Sequence, residues 1–343
     1  LPGGKGISYL HSAMPRLLNE LLPLYPHHLS TLKFMQILEV QHLQKTYRSS
    51  RKKIAQAVRD VSLTIAGREV LAFLGPNGAG KTTTIKMIAG LILPDRGDVK
   101  INGRNPHRDA EALRSLGAVL EGNRNLYWRL TPIENLEYFG VLRGLSPKVA
   151  RQRGRDLLER FELSDKRNAP VQTLSRGMQQ KLAIAVALIH EPQLLLLDEP
   201  TLGLDVEATQ TVKRLIREIA SEGRAILLTT HQLDIAEELS DRVAIINQGA
   251  IVAEESTGEL IRRFSGSAYV VELEHELDRD RTSKIQNLGA IVTEKTILIR
   301  ETEILYEVLH ILQPLPLIRV EKEQANLTEV FLQLIQTQSK TSC

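Results

Sequence analysis

Gly75-Pro76-Asn77-Gly78-Ala79-Gly80-Lys81-Thr82 is the stretch on which the reading of this chain turns. It satisfies G-x-x-x-x-G-K-[ST], with the apolar run Val70–Leu74 before it and a helical pattern over residues 82–89 after it. Glycines let the backbone curl until successive N–H groups point inward at an anion. The helix that follows adds the positive end of its dipole. Lys81 can neutralise outer phosphates, the Thr82 hydroxyl can ligate Mg2+, and Thr83 adjoins them in the same expected phosphate cradle.

Outward from this loop, residues 70–74 form a continuous apolar run, as expected of a strand buried on both faces of a parallel sheet. Residues 194–197, 225–228 and 243–246 are three more such runs. Helical patterns fall over residues 177–189, 207–220 and 234–239, while residues 37–41 and 61–65 alternate like half-exposed strands. Buried strands alternating with helices predict an α/β fold with a mostly parallel core sheet. The run 194–197 ends in Asp198-Glu199, which places two carboxylates at the carboxyl edge of that sheet, where ligands of open α/β sheets bind. Asp198 can hold Mg2+ through its shell, and Glu199 can accept a proton from an attacking water.

Leu174-Ser175-Arg176-Gly177-Met178-Gln179-Gln180 begins 23 positions before Asp198, counted from Ser175, and resembles the signature of ATP-binding cassette (ABC) ATPases. Pro200-Thr201-Leu202-Gly203-Leu204-Asp205 resembles the family's D-loop, His231 falls where its switch histidine lies, and Tyr47 matches the aromatic that stacks on adenine. Together with the phosphate loop these ordered motifs cover about residues 36–265. The resemblance implies a P-loop ATPase cassette with an antiparallel β subdomain and a helical insert at about residues 122–190. It also implies a head-to-tail homodimer with two ATPs at the interface, each touching Lys81 of one subunit and Ser175 and Gly177 of the other, with Asp205 nearby. A Ser and a Gly opening the helix at 177–189 agree with an anion-seeking start, although a plain helix cap would use the same residues. Three positions depart from the pattern. Arg176 stands for the signature's first glycine, Met178 for its glutamine, and Glu121 for the glutamine expected to contact Mg2+ and the attacking water.

The composition is that of a globular chain. The 343 residues are 42% hydrophobic and 25% charged, which is ample for a core and excludes wholesale disorder. No apolar run approaches the ~18–20 residues of a helical membrane span. The single cysteine, Cys343, excludes a disulfide scaffold and a cysteine zinc site. The net charge of +3 is dispersed: residues 1–34 carry +2, residues 266–343 carry −4, and the densest basic cluster is Arg48, Arg51, Lys52 and Lys53. With aromatics at 4% there is no stacking platform, and nucleic acid is not an expected partner.

Residues 1–34, with Pro2, Pro15, Pro23 and Pro26, read as an extension outside the fold, with Met35 opening residues 35–265 as the cassette. Residues 266–343 resemble the small α+β appendage of exporters of the drug-resistance and sodium-extrusion type. Their strands are expected at 269–273 and 296–299, and an amphipathic helix opens near Asn326 with Glu329 placed to cap it. The expected function is ATP binding and hydrolysis powering export through a separate membrane permease, from the cytoplasmic face of the membrane. Tyr127 and Trp128 are candidate docking anchors for that permease. The alternative is an ABC ATPase acting on ribosomes or DNA. Its relatives usually carry two cassettes or a coiled-coil insertion, whereas this chain has one phosphate loop and no heptad run.

Overall fold

The computed structural model describes residues 35–48, 54–120, 126–265, 268–322 and 325–341. The extension at 1–34 and Glu121 lie outside the described residues. The chain divides into Leu1–Gln36 and Ile37–Cys343, and the fold belongs to the second unit.

Its first two strands are long, β1 (Gln36–Arg48) and β2 (Ile54–Ala66); the short β3 (Val70–Leu74), helix α1 (Lys81–Ile88) and the short β4 (Arg96–Ile101) follow. β4 pairs antiparallel with β1, Leu38 opposite Ile101. Helix α2 (Ala110–Arg114) leads into β5 (Leu116–Val119). The helical insert follows as α3 (Pro132–Leu142), α4 (Pro147–Arg160) and α5 (Arg176–Leu188). The starts of α3 and α4 are written in the sequence. Thr131 and Glu134 form a reciprocal capping box with Pro132 at the first turn, and Ser146 caps α4 ahead of Pro147. The chain then alternates β6 (Leu194–Asp198), α6 (Val206–Ser221), β7 (Ala225–Thr229), α7 (Leu233–Leu239), β8 (Arg242–Asn247), β9 (Ala250–Ser256) and α8 (Thr257–Phe264).

These strands make one nine-stranded sheet in the order β4-β1-β2-β9-β8-β3-β7-β6-β5. The centre is parallel: β3 pairs with β7 and β8, and β6 with β5 and β7. β9 returns antiparallel on β8. The expected α/β architecture, with its antiparallel arm and helical insert, is the one observed. Alternation explains why the central runs are apolar throughout. Val70, Ala72 and Leu74 face one core layer and Leu71 and Phe73 the other, and all five are fully buried. The first layer holds α5, α6 and the insert, including Leu136, Leu158 and Phe161; the second holds α1 and the antiparallel arm.

A second sheet, β11-β12-β10-β13, follows. It comprises β10 (Tyr269–Leu273), β11 (Ile291–Thr293), β12 (Thr296–Ile299) and β13 (Leu317–Lys322), with helices α9 (Arg279–Asn287) and α10 (Leu305–Leu312). Val271, Leu273, Ile285, Ile297, Ile299 and Val308 form its own buried cluster. The last helix, α11 (Leu327–Thr341), does not join that cluster. Leu327 and Val330 are fully buried in the cassette's first core layer, and the Leu327 N–H donates to Glu237 Oε2 at 2.8 Å.

Candidate active site

The loop Gly75–Gly80 lies between buried β3 and α1, and its last residue turns the chain into the helix. Gly80 has φ 112°, and a Cβ there would sit 2.5 Å from the Ala57 carbonyl oxygen, so only glycine fits. The Thr84 hydroxyl donates to the Gly80 carbonyl at 3.0 Å and seals the first turn. Lys81 Nζ donates to the carbonyls of Gly75 (2.6 Å) and Pro76 (3.2 Å). Burial pushes the Lys81 ammonium below its ordinary range, while the charges of Glu199 and Asp198 hold it up.

β6 and β7 bring the acids to this loop. Asp198 ends β6 almost buried and accepts a hydrogen bond from the Thr229 hydroxyl at the end of β7. Glu199 follows with φ 51°, and its N–H donates to the Thr229 carbonyl at 3.0 Å. His231 Nδ1 lies 2.9 Å from Glu199 Oε1; since an ionised carboxylate can only accept, Nδ1–H is the donor. The other oxygen, Oε2, is buried with no hydrogen-bond partner.

Tyr47, Asn77 to Thr83, Asp198, Glu199, Leu202 and His231 line one cleft of about 640 Å³. The motif residues expected from the sequence on the Lys81 side therefore converge, with Gly75 and Pro76 meeting Lys81 behind the lining. Ser175, Gly177 and Asp205 do not line the cleft. Ser175 caps α5, its hydroxyl accepting from the Met178 N–H at 3.2 Å, and Asp205 caps α6 through the Ala208 N–H at 2.8 Å. The Arg176 guanidinium packs on Gly203, where a Cβ would lie 2.7 Å from its Nη1. Sequence reasoning passed over Thr229, for which a hydroxyl closing the strand two residues before His231 was the available signal, and named Leu202 only within the D-loop stretch.

The donor set fits a magnesium nucleotide. The Thr82 hydroxyl and Asp198 carboxylate are hard oxygen ligands beside a lysine, and a buried carboxylate oxygen of Glu199 lacks a partner. Among the described residues no cluster of three or more His, Cys, Asp or Glu side chains could hold a metal ion.

Tyr127 and Trp128 do not line this cleft; they stand ahead of α3, 48% and 47% exposed. Tyr127 stacks edge-on with Tyr138 (centroids 4.8 Å) and borders a second cavity of about 530 Å³ shared with Phe139, Arg143 and His190. No described helix is long and apolar enough to cross a membrane.

A family model described as ABC transporter matches residues 58–202. The ABC transporter ATP-binding protein NatA of Bacillus subtilis (strain 168) is 42% identical over 203 residues, which is 59% of this chain and 82% of that protein. The Nod factor export ATP-binding protein I of Ralstonia nicotianae is 34% identical over 313 residues, 87% of this chain and 93% of its own length. Among solved structures, a dimeric ATP-binding cassette in a post-hydrolysis state bound to ADP and Pi aligns with a TM-score of 0.58 at 28% identity, covering 64% of this chain and 98% of that one.

Proposed function

The chain belongs to the ATP-binding subunits of ABC transporters, and from that premise we propose that it hydrolyses ATP to drive export through a separate membrane permease, docked at the cytoplasmic face of the membrane. The observation that carries the reading is the meeting of Lys81, Asp198, Glu199 and His231 in one cleft. Lys81 and the loop N–H groups would hold the phosphates, and Tyr47 would stack on the base. Thr82 and Asp198 would hold Mg2+, which when bound offsets charge developing on the transferred phosphoryl group. Glu199 would orient and deprotonate the attacking water, and His231 fixes one Glu199 oxygen so that the other stays free for that proton.

Ser175, Gly177 and Asp205 would complete the cleft of a second, head-to-tail copy, which explains why they stand outside the cleft of their own chain. Glu121, by its place in the motif order, would approach the metal and water. The exposed Tyr127 and Trp128 would anchor the permease, as large aromatics do at interfaces. Residues 266–322 would act as an accessory module beside the cassette.

Glu199→Gln tests the assignment. The variant should bind ATP as the parent does, lose at least about 100-fold in turnover, and accumulate as an ATP-bound dimer by light scattering. Near-parental turnover would remove Glu199 from the role of base.

A further inference from the structure

β13 is the outer strand of the four-stranded sheet, and all six of its residues, Leu317 to Lys322, are exposed. Three are large and apolar: Leu317 at 39%, Ile318 at 60% and Val320 at 42%. The ladder places Val320 opposite Val271, which is fully buried in the small sheet's core. Past a shift in register, Leu317 stands opposite Leu273, which is buried in the same core. The apolar face therefore continues past its covered part into solvent, on a strand whose outer edge is open among the described residues. Open apolar edges are templates for strand addition.

We propose that β13 pairs antiparallel with β13 of a second copy about a two-fold axis at Val320, joining the two small sheets into one of eight strands. The register follows from symmetry. Residues opposite one another in a ladder share a face, so a two-fold antiparallel pair must be centred on a residue and never between two. Centring on Arg319 opposes two arginines, and centring on Glu321 opposes two glutamates; both are unfavourable. Centring on Ile318 uses the strand's end and pairs no charges. Centring on Val320 opposes Val320 with Val320, and sets Arg319 against Glu321 twice. Among the described residues of one chain, Arg319 makes exposed, long ion pairs to Glu321 at 3.4 Å and Glu272 at 3.6 Å, so exchanging partners costs little. This contact needs no nucleotide and is separate from the ATP-sandwich dimer.

The test uses the full chain carrying Cys343→Ser, which removes the single native cysteine. Val320→Cys is oxidised with copper–phenanthroline without nucleotide, beside Tyr306→Cys, a residue 78% exposed on α10 rather than on β13. The Val320→Cys chain should form a covalent dimer at least tenfold faster than the Tyr306→Cys chain. Mixing Arg319→Cys with Glu321→Cys should yield the heterodimer in preference to either homodimer. Adding Arg319→Glu to Val320→Cys should slow crosslinking about tenfold, and adding Glu321→Arg as well should restore it. Crosslinking of Val320→Cys no faster than Tyr306→Cys, or no rescue by the double charge reversal, overturns the pairing. ATP turnover of each variant reports folding, and the Glu199→Gln dimer is scored separately by its need for ATP, so failure of either reading is distinguishable.

Discussion

Glu199 sits in left-handed backbone with φ 51°, a conformation that costs a non-glycine residue about 1–3 kcal/mol and persists only where its surroundings hold it. Its N–H bond to Thr229 and its carboxylate bond to His231 are those surroundings. His190 shows a different residue-scale constraint. Its Nε2 lies 3.0 Å from the Leu116 carbonyl and so carries the proton, while Nδ1 is buried without a partner. Burial, with the Arg143 charge nearby, lowers its pKa from 6.5 to about 4. The folded chain therefore binds fewer protons than the unfolded chain between about pH 6.5 and 4. Stability is full above that window and falls as the pH drops through it, by about 2 kcal/mol at pH 5. His190→Gln should flatten the change in urea midpoint between pH 7 and pH 5; a variant as pH-sensitive as the parent would assign the loss elsewhere.

Neighbours decide what a glycine is for at the scale of the element. Gly177, in the first turn of α5, lets that helix approach α6: a Cβ there would lie 2.7 Å from the Ala208 Cβ. Gly258, in the first turn of α8, meets nothing within 4 Å. Alanine is favoured over glycine in a helix by up to about 1 kcal/mol, whereas overpacking costs about 1–3 kcal/mol. Gly258→Ala should therefore raise the melting temperature, and Gly177→Ala should lower it by about 2–4 °C. Thermal melts of the two variants check the opposite signs. The α5 start also carries Ser175, whose hydroxyl accepts from the Met178 N–H, so the same packing that requires Gly177 holds that cap in place.

For the whole molecule, α11 ties the C-terminal end of the chain back to the cassette. Leu327 is fully buried among the residues of the first core layer, after a separate sheet with a core of its own. Leu327→Ala should cost about 2–5 kcal/mol, and the loss should fall on the transition that ATP protects. If the variant melts earlier only in a transition indifferent to ATP, the helix does not support the cassette.

The sequence by itself determined the phosphate loop, the acids at the end of β6 and the α/β order, because each depends on local spacing. Buried parallel strands must be apolar at every position, and a curled anion loop must have its glycines. The caps of α3 and α4 were equally local, in Thr131-Pro132-Ile133-Glu134 and Ser146-Pro147. Tertiary structure alone decided that Thr229 holds Asp198, that His231 takes one oxygen of Glu199, and that Asn77 to Thr83 share a cleft with Leu202. It alone placed α11 on the cassette and left β13 as an exposed edge. Those facts are pairings between segments far apart in the chain, set by sheet order and by which core has room for an apolar face, and no local pattern carries that information.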